Sequence, residues 1–349
     1  MTLWLQEVWL RRGVWAWALL PLAALYSLLS GLRRLLYRVG ALPQVVLPVP
    51  VLVVGNLIAG GAGKTPTVIA IVAAQRARGR RPGIVSRGHG RSGAGLVDVQ
   101  PDTPVGACGD EPLLLRLRTG APVVIGRDRV AAARELLRRY PDVDLIVSDD
   151  GLQHLHLARQ AQVLVFDERG AGNRWPLPAG PLREALPRHV PARSVVLYNA
   201  AAPSTPLPGY LARRRLAGAS ALDAWRLGTA PSMAVLHALR GRPILAAAGV
   251  ARPERFFAML EAEGLDIARL PLPDHHAFDA LPWRQETPDV IVTEKDAVKL
   301  APPLGATTRV WVAALDFDPG AGFEQALAAL LPPPPTRNAT ESGHGNSSA

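Results

Sequence analysis

Residues 51–66 read Val-Leu-Val-Val-Gly-Asn-Leu-Ile-Ala-Gly-Gly-Ala-Gly-Lys-Thr-Pro. An apolar run enters a glycine-rich turn, and the turn ends in Lys64 and Thr65 where a helical pattern begins. Glycines let backbone N–H groups wrap a polyphosphate, and a helix N-terminus adds positive potential there. Lys64 has the reach for the β- and γ-phosphates, and the Thr65 hydroxyl can ligate Mg²⁺. Ile58, Ala59, Gly60, Gly61, Ala62 and Gly63 with those two side chains therefore form a candidate nucleotide site. One position departs from the strict G-x-x-x-x-G-K-[ST] pattern, which has glycine where this chain has Ile58.

A second stretch, Val143-Asp-Leu-Ile-Val-Ser-Asp149-Asp150, is an apolar strand that delivers two carboxylates at its C-terminal end. Parallel sheets place ligands at that end, and Mg²⁺ takes one or two carboxylates. On its own the pattern also describes an ordinary turn; beside a phosphate loop it is the expected metal element. Gln153 and His154 add polar groups at the same place.

Positioning these groups requires a mostly parallel sheet. Short β-branched runs at Val51–Val54, Gly83–Ser86, Pro122–Ile125, Asp144–Ser148, Gln162–Asp167 and Ser194–Tyr198 alternate with helical patterns at Pro66–Arg78 and Asp128–Arg139. That alternation predicts βαβ crossovers in a P-loop NTPase-type α/β fold with helices on both faces. A Pro-, Ala- and Arg-rich stretch at about 200–232 reads as a boundary. Beyond it a smaller α/β domain is predicted from strands at Ile244–Ala248, Val290–Thr293 and Arg309–Ala313 and helices at Pro253–Glu263 and Phe323–Leu331. The expected division is 1–42 anchor helix and connector, 43–205 P-loop core, 206–331 second domain and 332–349 disordered tail. Asn338-Ala-Thr and Asn346-Ser-Ser in that tail read as chance matches to the glycosylation pattern.

The N-terminal segment from Val14 to Leu29 carries no charge over 16 residues. Arg11 and Arg12 precede it, Arg33, Arg34 and Arg38 follow it, and Trp4, Trp9, Trp15 and Trp17 cluster nearby. A bilayer span needs about 20 apolar residues, Pro21 predicts a kink, and the flank offers a poor signal cleavage site. A membrane-embedded or interfacial anchor fits these features best, with a buried core helix as the plain alternative.

The 349 residues are 48% hydrophobic and 19% charged, which excludes wholesale disorder. A formal charge of +10 favours anionic partners without choosing among nucleic acid, anionic lipid and phosphorylated small molecules. One cysteine, Cys108, excludes an internal disulfide framework and a multi-thiolate zinc site.

With both motifs placed, the chain resembles the tetraacyldisaccharide 4′-kinase family. The resemblance covers roughly residues 10–330 and rests on GGAGKTP (60–66), SRGHGR (86–91), GDEPLLL (109–115), SDDGLQH (148–154), PAGPLRE (178–184), GVARPERFF (249–257), PDHHAF (273–278) and VTEKDAVKL (292–300). It implies transfer of the ATP γ-phosphoryl group, with Mg²⁺, to the 4′-hydroxyl of an acylated glucosamine disaccharide 1-phosphate at the cytoplasmic face of the Gram-negative inner membrane. Neither a nucleic-acid partner nor an obligate protein partner is implied. Carried over by position, Asp110 is the catalytic carboxylate and His275 its histidine partner. Lys64, Thr65, Asp149 and Asp150 are phosphate and metal residues, and Glu111, Arg183 and Glu184 are further active-site positions, Glu184 on the metal side. His89 departs, since the family usually has tyrosine there.

Each position also has a plainer reading. Asp110 suits the cap of a helix starting near Pro112, His275 and His276 suit a solvated pair or metal ligands, with zinc disfavoured by the single cysteine, and Arg183–Glu184 an exposed ion pair. Glu294, Lys295 and Asp296 suit a solvated strand end or, equally, a strand terminus beside a nucleotide, and take no catalytic role. A membrane-attached P-loop ATPase acting as a switch or transport motor also explains the loop and the anchor, but leaves GDE and PDHHAF unassigned.

Overall fold

The computed structural model describes residues 3–301, 304 and 307–335. The expectations for Asn338, Asn346 and most of the tail lie outside the described residues.

Three helices open the chain: α1 (Leu3–Leu10), α2 (Val14–Ala18) and α3 (Leu20–Arg38). The apolar run expected to form one helix is thus interrupted at Leu19. Pro21 is the cause, because its ring cannot pack against the carbonyl four residues back within a continuous helix. It sits instead in the first turn of α3, where a missing N–H is harmless. Among the described residues no helix is long and apolar enough to cross a membrane.

The first sheet is built from β1 (Val51–Gly55), α4 (Lys64–Ala77), β2 (Pro82–Ser86), β3 (Val97–Val99), α5 (Val105–Cys108), α6 (Asp110–Thr119), β4 (Val123–Ile125), α7 (Arg129–Arg139), β5 (Leu145–Asp149), β6 (Ala161–Asp167), β7 (Ser194–Asn199) and β8 (Tyr210–Leu211). Its eight strands run in the order β3-β4-β2-β5-β1-β6-β7-β8. All pairs are parallel except β3 with β4. Strands β1, β2 and β5 are buried at every position, as continuous apolar runs require when helices cover both faces.

The chain then leaves this sheet at Leu211 and enters the other at Arg213. The second comprises β9 (Arg213–Ala221), α8 (Leu222–Arg226), α9 (Met233–His237), β10 (Ile244–Ala248), α10 (Pro253–Ala262), β11 (Ile267–Pro271), β12 (Asp289–Thr293), α11 (Glu294–Ala297), β13 (Arg309–Asp318) and α12 (Ala321–Leu330). Its order is β11-β10-β12-β13-β9, with only β9 antiparallel. The stretch at 200–232, expected as a boundary, therefore also contains an edge strand. Its basic residues Arg213, Arg214 and Arg215 pair against Asp318, Phe317 and Asp316 of β13, so its pattern is not apolar.

Between the sheets lies a shared helical layer. Val68, Ile71 and Val72 of α4 and Leu113, Leu114 and Leu115 of α6 pack in one cluster with Leu52, Val147, Val290, Val292, Val312 and Phe323. Helix α7 covers the far face of the first sheet through Val130, Ala133 and Leu136. Phe256, Phe257 and Leu260 of α10 cover the far face of the second. For the site the decisive pairing is β1 with β5, which sets Val54 beside Asp149.

Candidate active site

Residues 56–63 turn from β1 into α4. The Asn56 side chain spans the turn, donating from Nδ2 to the Gly60 carbonyl at 2.9 Å and accepting from Lys64 Nζ at 3.4 Å. Gly60 and Gly63 have φ of 93° and 87°, in the left-handed region that glycine tolerates. A Cβ on Gly63 would lie 2.0 Å from Asn199 Nδ2, which donates to the Ala62 carbonyl at 3.0 Å. Arg169 donates to the Gly61 carbonyl at 2.7 Å. With carbonyls held from outside, the loop and the first turn of α4 are left to present N–H groups inward.

Ile58, which breaks the expected glycine pattern, is fully buried and forms an antiparallel bridge with Leu182. The Ala59 N–H donates to the Pro181 carbonyl and the Arg183 N–H to the Leu57 carbonyl, both at 2.8 Å. An apolar side chain suits this position because the loop is stitched there to residues 181–183. The same stitch brings Arg183 to Asp150, at 3.1 Å.

Asp149 ends β5 in full burial. Its Oδ2 accepts from Ser86 Oγ at 3.0 Å, while Oδ1 has no hydrogen-bond partner among the described residues. Burial, then the charges of Glu111 and Asp150, push its carboxyl up to about 7. Asp150 takes φ 48° and faces Lys64 at 3.6 Å. Burial raises Asp150, yet Lys64 and Arg183 together hold it below the ordinary carboxylate range. Gln153 accepts from Arg183 at 3.3 Å and donates to Glu184 at 3.2 Å. Glu184 also pairs with Arg34 at 2.9 Å, and Tyr26 of α3 donates to the Arg183 carbonyl at 2.8 Å. His154 is driven down to about 4 by burial and by Arg129 and Arg87, so its ring is neutral at physiological pH.

The remaining expected residues meet where the two sheets face each other. Gly109, at φ 90°, turns the chain so that Asp110 begins α6 nearly buried. From the other side His275, held at φ 61° with its N–H on the Gly249 carbonyl at 3.1 Å, places Nδ1 2.9 Å from Asp110 Oδ2. Burial pushes Asp110 up, but the hydrogen bond from His275 and the charge of Lys295 leave it below its usual range. His275 is raised, first by that bond. His89, which replaces the family tyrosine, lies edge-on to His275 with ring centroids 6.3 Å apart.

Two side chains at this site, Arg129 and Lys295, take no role from the sequence. Arg129 is buried beside Asp149 and Asp150, and burial lowers it to about 10 despite their charges. Its only sequence signal is a position just after Asp128, where an arginine at a helix start normally points to solvent. Lys295 stands 3.2 Å from His275 Nε2, and nothing in Glu-Lys-Asp announces that contact.

Among the described residues no group of three or more His, Cys, Asp or Glu forms a metal cage. A magnesium shared with phosphate oxygens needs only one or two carboxylates. Asp149 fits that need, with an orphaned buried oxygen and an ionised form that burial disfavours until a cation joins it.

A family model described as LpxK, tetraacyldisaccharide-1-P 4′-kinase, matches residues 15–332. A tetraacyldisaccharide 4′-kinase of Methylibium petroleiphilum is 59% identical over 336 residues, 94% of this chain and 93% of its own length. One of Leptothrix cholodnii is 54% identical over 334 residues, 94% of this chain and 95% of its own. The crystal structure of Aquifex aeolicus LpxK in complex with ATP superposes with a TM-score of 0.74, covering 91% of this chain and 100% of that one. At 24% identity this last likeness is one of fold.

Gly63→Ala forces a left-handed alanine against Asn199, a strain of about 1–3 kcal/mol in the phosphate loop. Calorimetry is expected to show Mg·ATP affinity falling at least several-fold with the circular-dichroism spectrum unchanged. In the ligand-free protein, Asp149 keeps its proton to about pH 7, whereas the unfolded chain releases it near the ordinary 3.8. The native state binds the extra proton over that window, so the Asp149 contribution to stability declines as pH rises from about 4 to about 7 and then levels off. Denaturant titrations across this range are expected to show that Asp149→Asn removes this component of the slope.

Proposed function

This chain belongs to the tetraacyldisaccharide-1-P 4′-kinase family, and from that premise we propose how its own residues carry the transfer. It is an ATP-dependent kinase of the lipid A pathway, phosphorylating the 4′-hydroxyl of a tetraacylated disaccharide 1-phosphate. The observation that carries the proposal is the 2.9 Å contact between Asp110 and His275, assembled from opposite sheets.

A hydroxyl attacking a γ-phosphorus needs charge neutralisation, in-line placement and an acceptor for its proton. Lys64 and Arg183 supply positive charge, and the amides of Gly60–Gly63 and the first turn of α4 hold the phosphates, the Ala59 N–H being taken by the Pro181 carbonyl. Asp110 takes the proton of the 4′-hydroxyl as its oxygen bonds to phosphorus and the bond to the ADP oxygen breaks. His275 orients that carboxylate through Nδ1. Magnesium, when bound, spreads the charge of the β- and γ-phosphates; Thr65, Asp149 and Asp150 are the residues that would hold it. Gln153 and Glu184 steady Arg183, and neutral His154 lines the pocket without adding charge.

We further infer that the enzyme works at the cytoplasmic face of the inner membrane, where ATP and a multiply acylated lipid meet. Leu22, Leu25, Leu28, Leu29, Leu32 and Leu35 recur at helical spacing along α3 and are all exposed. Trp15 and Trp17 are exposed beside them, with Arg33, Arg34 and Arg38 along the same helix. Such a helix lies in the interface and attracts anionic headgroups.

Asp110→Asn is expected to lower turnover by ~10²–10³ while the Kd for ATP stays within a few fold. Normal turnover in steady-state assays would remove Asp110 from the mechanism. Leu28→Asn combined with Leu32→Asn is expected to raise KM for micellar lipid several-fold and leave KM for ATP unchanged. Equal effects on both would refute the interfacial role of α3.

A further inference from the structure

Lys295 occupies the first turn of α11, immediately beyond β12. Thr293 caps that turn, its hydroxyl accepting from the Asp296 N–H at 3.2 Å and donating to Asp296 Oδ2 at 2.7 Å. The backbone is therefore fixed where the lysine leaves it. Glu294 points elsewhere, to Arg118 and to the Trp225 ring N–H at 3.1 Å. The Lys295 ammonium stands 3.2 Å from His275 Nε2, 3.6 Å from Glu111 and from Asp274, and 4.0 Å from Asp110.

An ammonium has three N–H donors and no acceptor. Against His275 Nε2 it can only donate, so Nε2 carries the lone pair and the ring proton lies on Nδ1. From there it is donated to Asp110 Oδ2 at 2.9 Å. A doubly protonated ring would set two cations 3.2 Å apart. We propose that Lys295 is a positioning residue that fixes His275 as the Nδ1–H tautomer and holds Asp110 in its ionised form. The inference rests on the reading of Asp110 as proton acceptor and adds the group that keeps it ready.

Every charged neighbour is consistent with a protonated lysine. Glu111 and Asp110 face it from α6, Asp274 from the loop after β11, and Asp296 from its own turn. Burial disfavours the ammonium, but these four acids together raise Lys295 above its usual range. Lys299 adds a weaker positive influence on Asp110. His89 approaches His275 from the loop after β2, and Cys108, with Arg91 beyond it, lies behind Asp110. The Asp110 bond, and more weakly the charges of Asp110 and Asp274, draw the His275 proton affinity up, while burial and then Lys295 draw it down. The lysine is the charged part of the brake on a second protonation of the ring.

Lys295→Met removes that brake and the cation beside Asp110, and both losses act in one direction. The acid limb of the kcat pH profile is expected to move to higher pH by about half a unit or more, and neutral-pH kcat to fall about tenfold, with KM for ATP within twofold. Lys295→Arg keeps charge and donors and is expected to restore the acid limb. NMR titration of the His275 ring in the full-length chain gives a reading independent of turnover, and its apparent pKa is expected to rise in Lys295→Met. Should Lys295→Met fail to fold, Lys295→Gln is read the same way. An acid limb and a His275 titration both identical to wild type would overturn the proposal, even with a lower kcat. That result alongside an inactive Asp110→Asn removes the lysine alone. Full turnover in Asp110→Asn removes the reading beneath it, and the lysine's part in the reaction with it.

Discussion

The parallel pairing of β1 with β5 sets Val54 beside Asp149 and so forces a glycine loop and a buried acid into the same crevice. The rest of the site answers the electrostatic problem this creates. Two adjacent carboxylates and a bound polyphosphate cannot share a desolvated space without cations. Lys64, Arg183 and Arg129 converge on the acids from α4, from the 181–184 segment and from α7. Asp150 is brought low by all three of these cations, Lys64 and Arg183 foremost, while Asp149, deeper and with one oxygen unpartnered, stays high. Adjacent carboxylates at one strand end thus differ in proton affinity because one faces charge and the other faces burial.

Much of the fold was legible because its central strands are buried on both faces, and such strands are continuous apolar runs. Strands β1, β2 and β5 announce themselves for that reason. Edge strands do not. In β9 three consecutive arginines precede its buried residues, and β11 (Ile267–Pro271) is half exposed with an arginine paired to Glu261. Neither has the pattern that burial would impose. The break at Leu19 was legible as a proline, but not as the division of the segment into two helices.

At the candidate site the phosphate loop could be read from glycine spacing alone, whereas Ile58 made sense only with Leu182 in view. Contacts between distant residues were the harder part. Asp110 and His275 are 165 positions apart and meet only because the two sheets share a helical layer. Local pattern suits Asp110 as the cap of a helix starting near Pro112, but α6 begins at Asp110 itself with Gly109 in the cap position and no side-chain cap bond. As the first residue of the helix, Asp110 aims its carboxylate across the interface to His275 instead. Lys295 shows the limit: a Glu-Lys-Asp triplet on a strand end has the composition of a wet surface, yet Glu294 and Asp296 are buried and Lys295 reaches His275.

The N-terminal helices join the rest through few but specific links. Trp9 donates to the Pro178 carbonyl at 2.9 Å, Arg12 lies over the Trp175 ring, Tyr26 bonds the Arg183 carbonyl, and Arg34 pairs with Glu184. All four partners lie in the short segment that also grips the phosphate loop at Ile58. The leucine-lined helix thus rests, through Tyr26 and Arg34, on the backbone of Arg183 and the side chain of Glu184. One ten-residue stretch, 175–184, is foundation to both: the opening helices stand on one side of it and the glycine turn leans on the other.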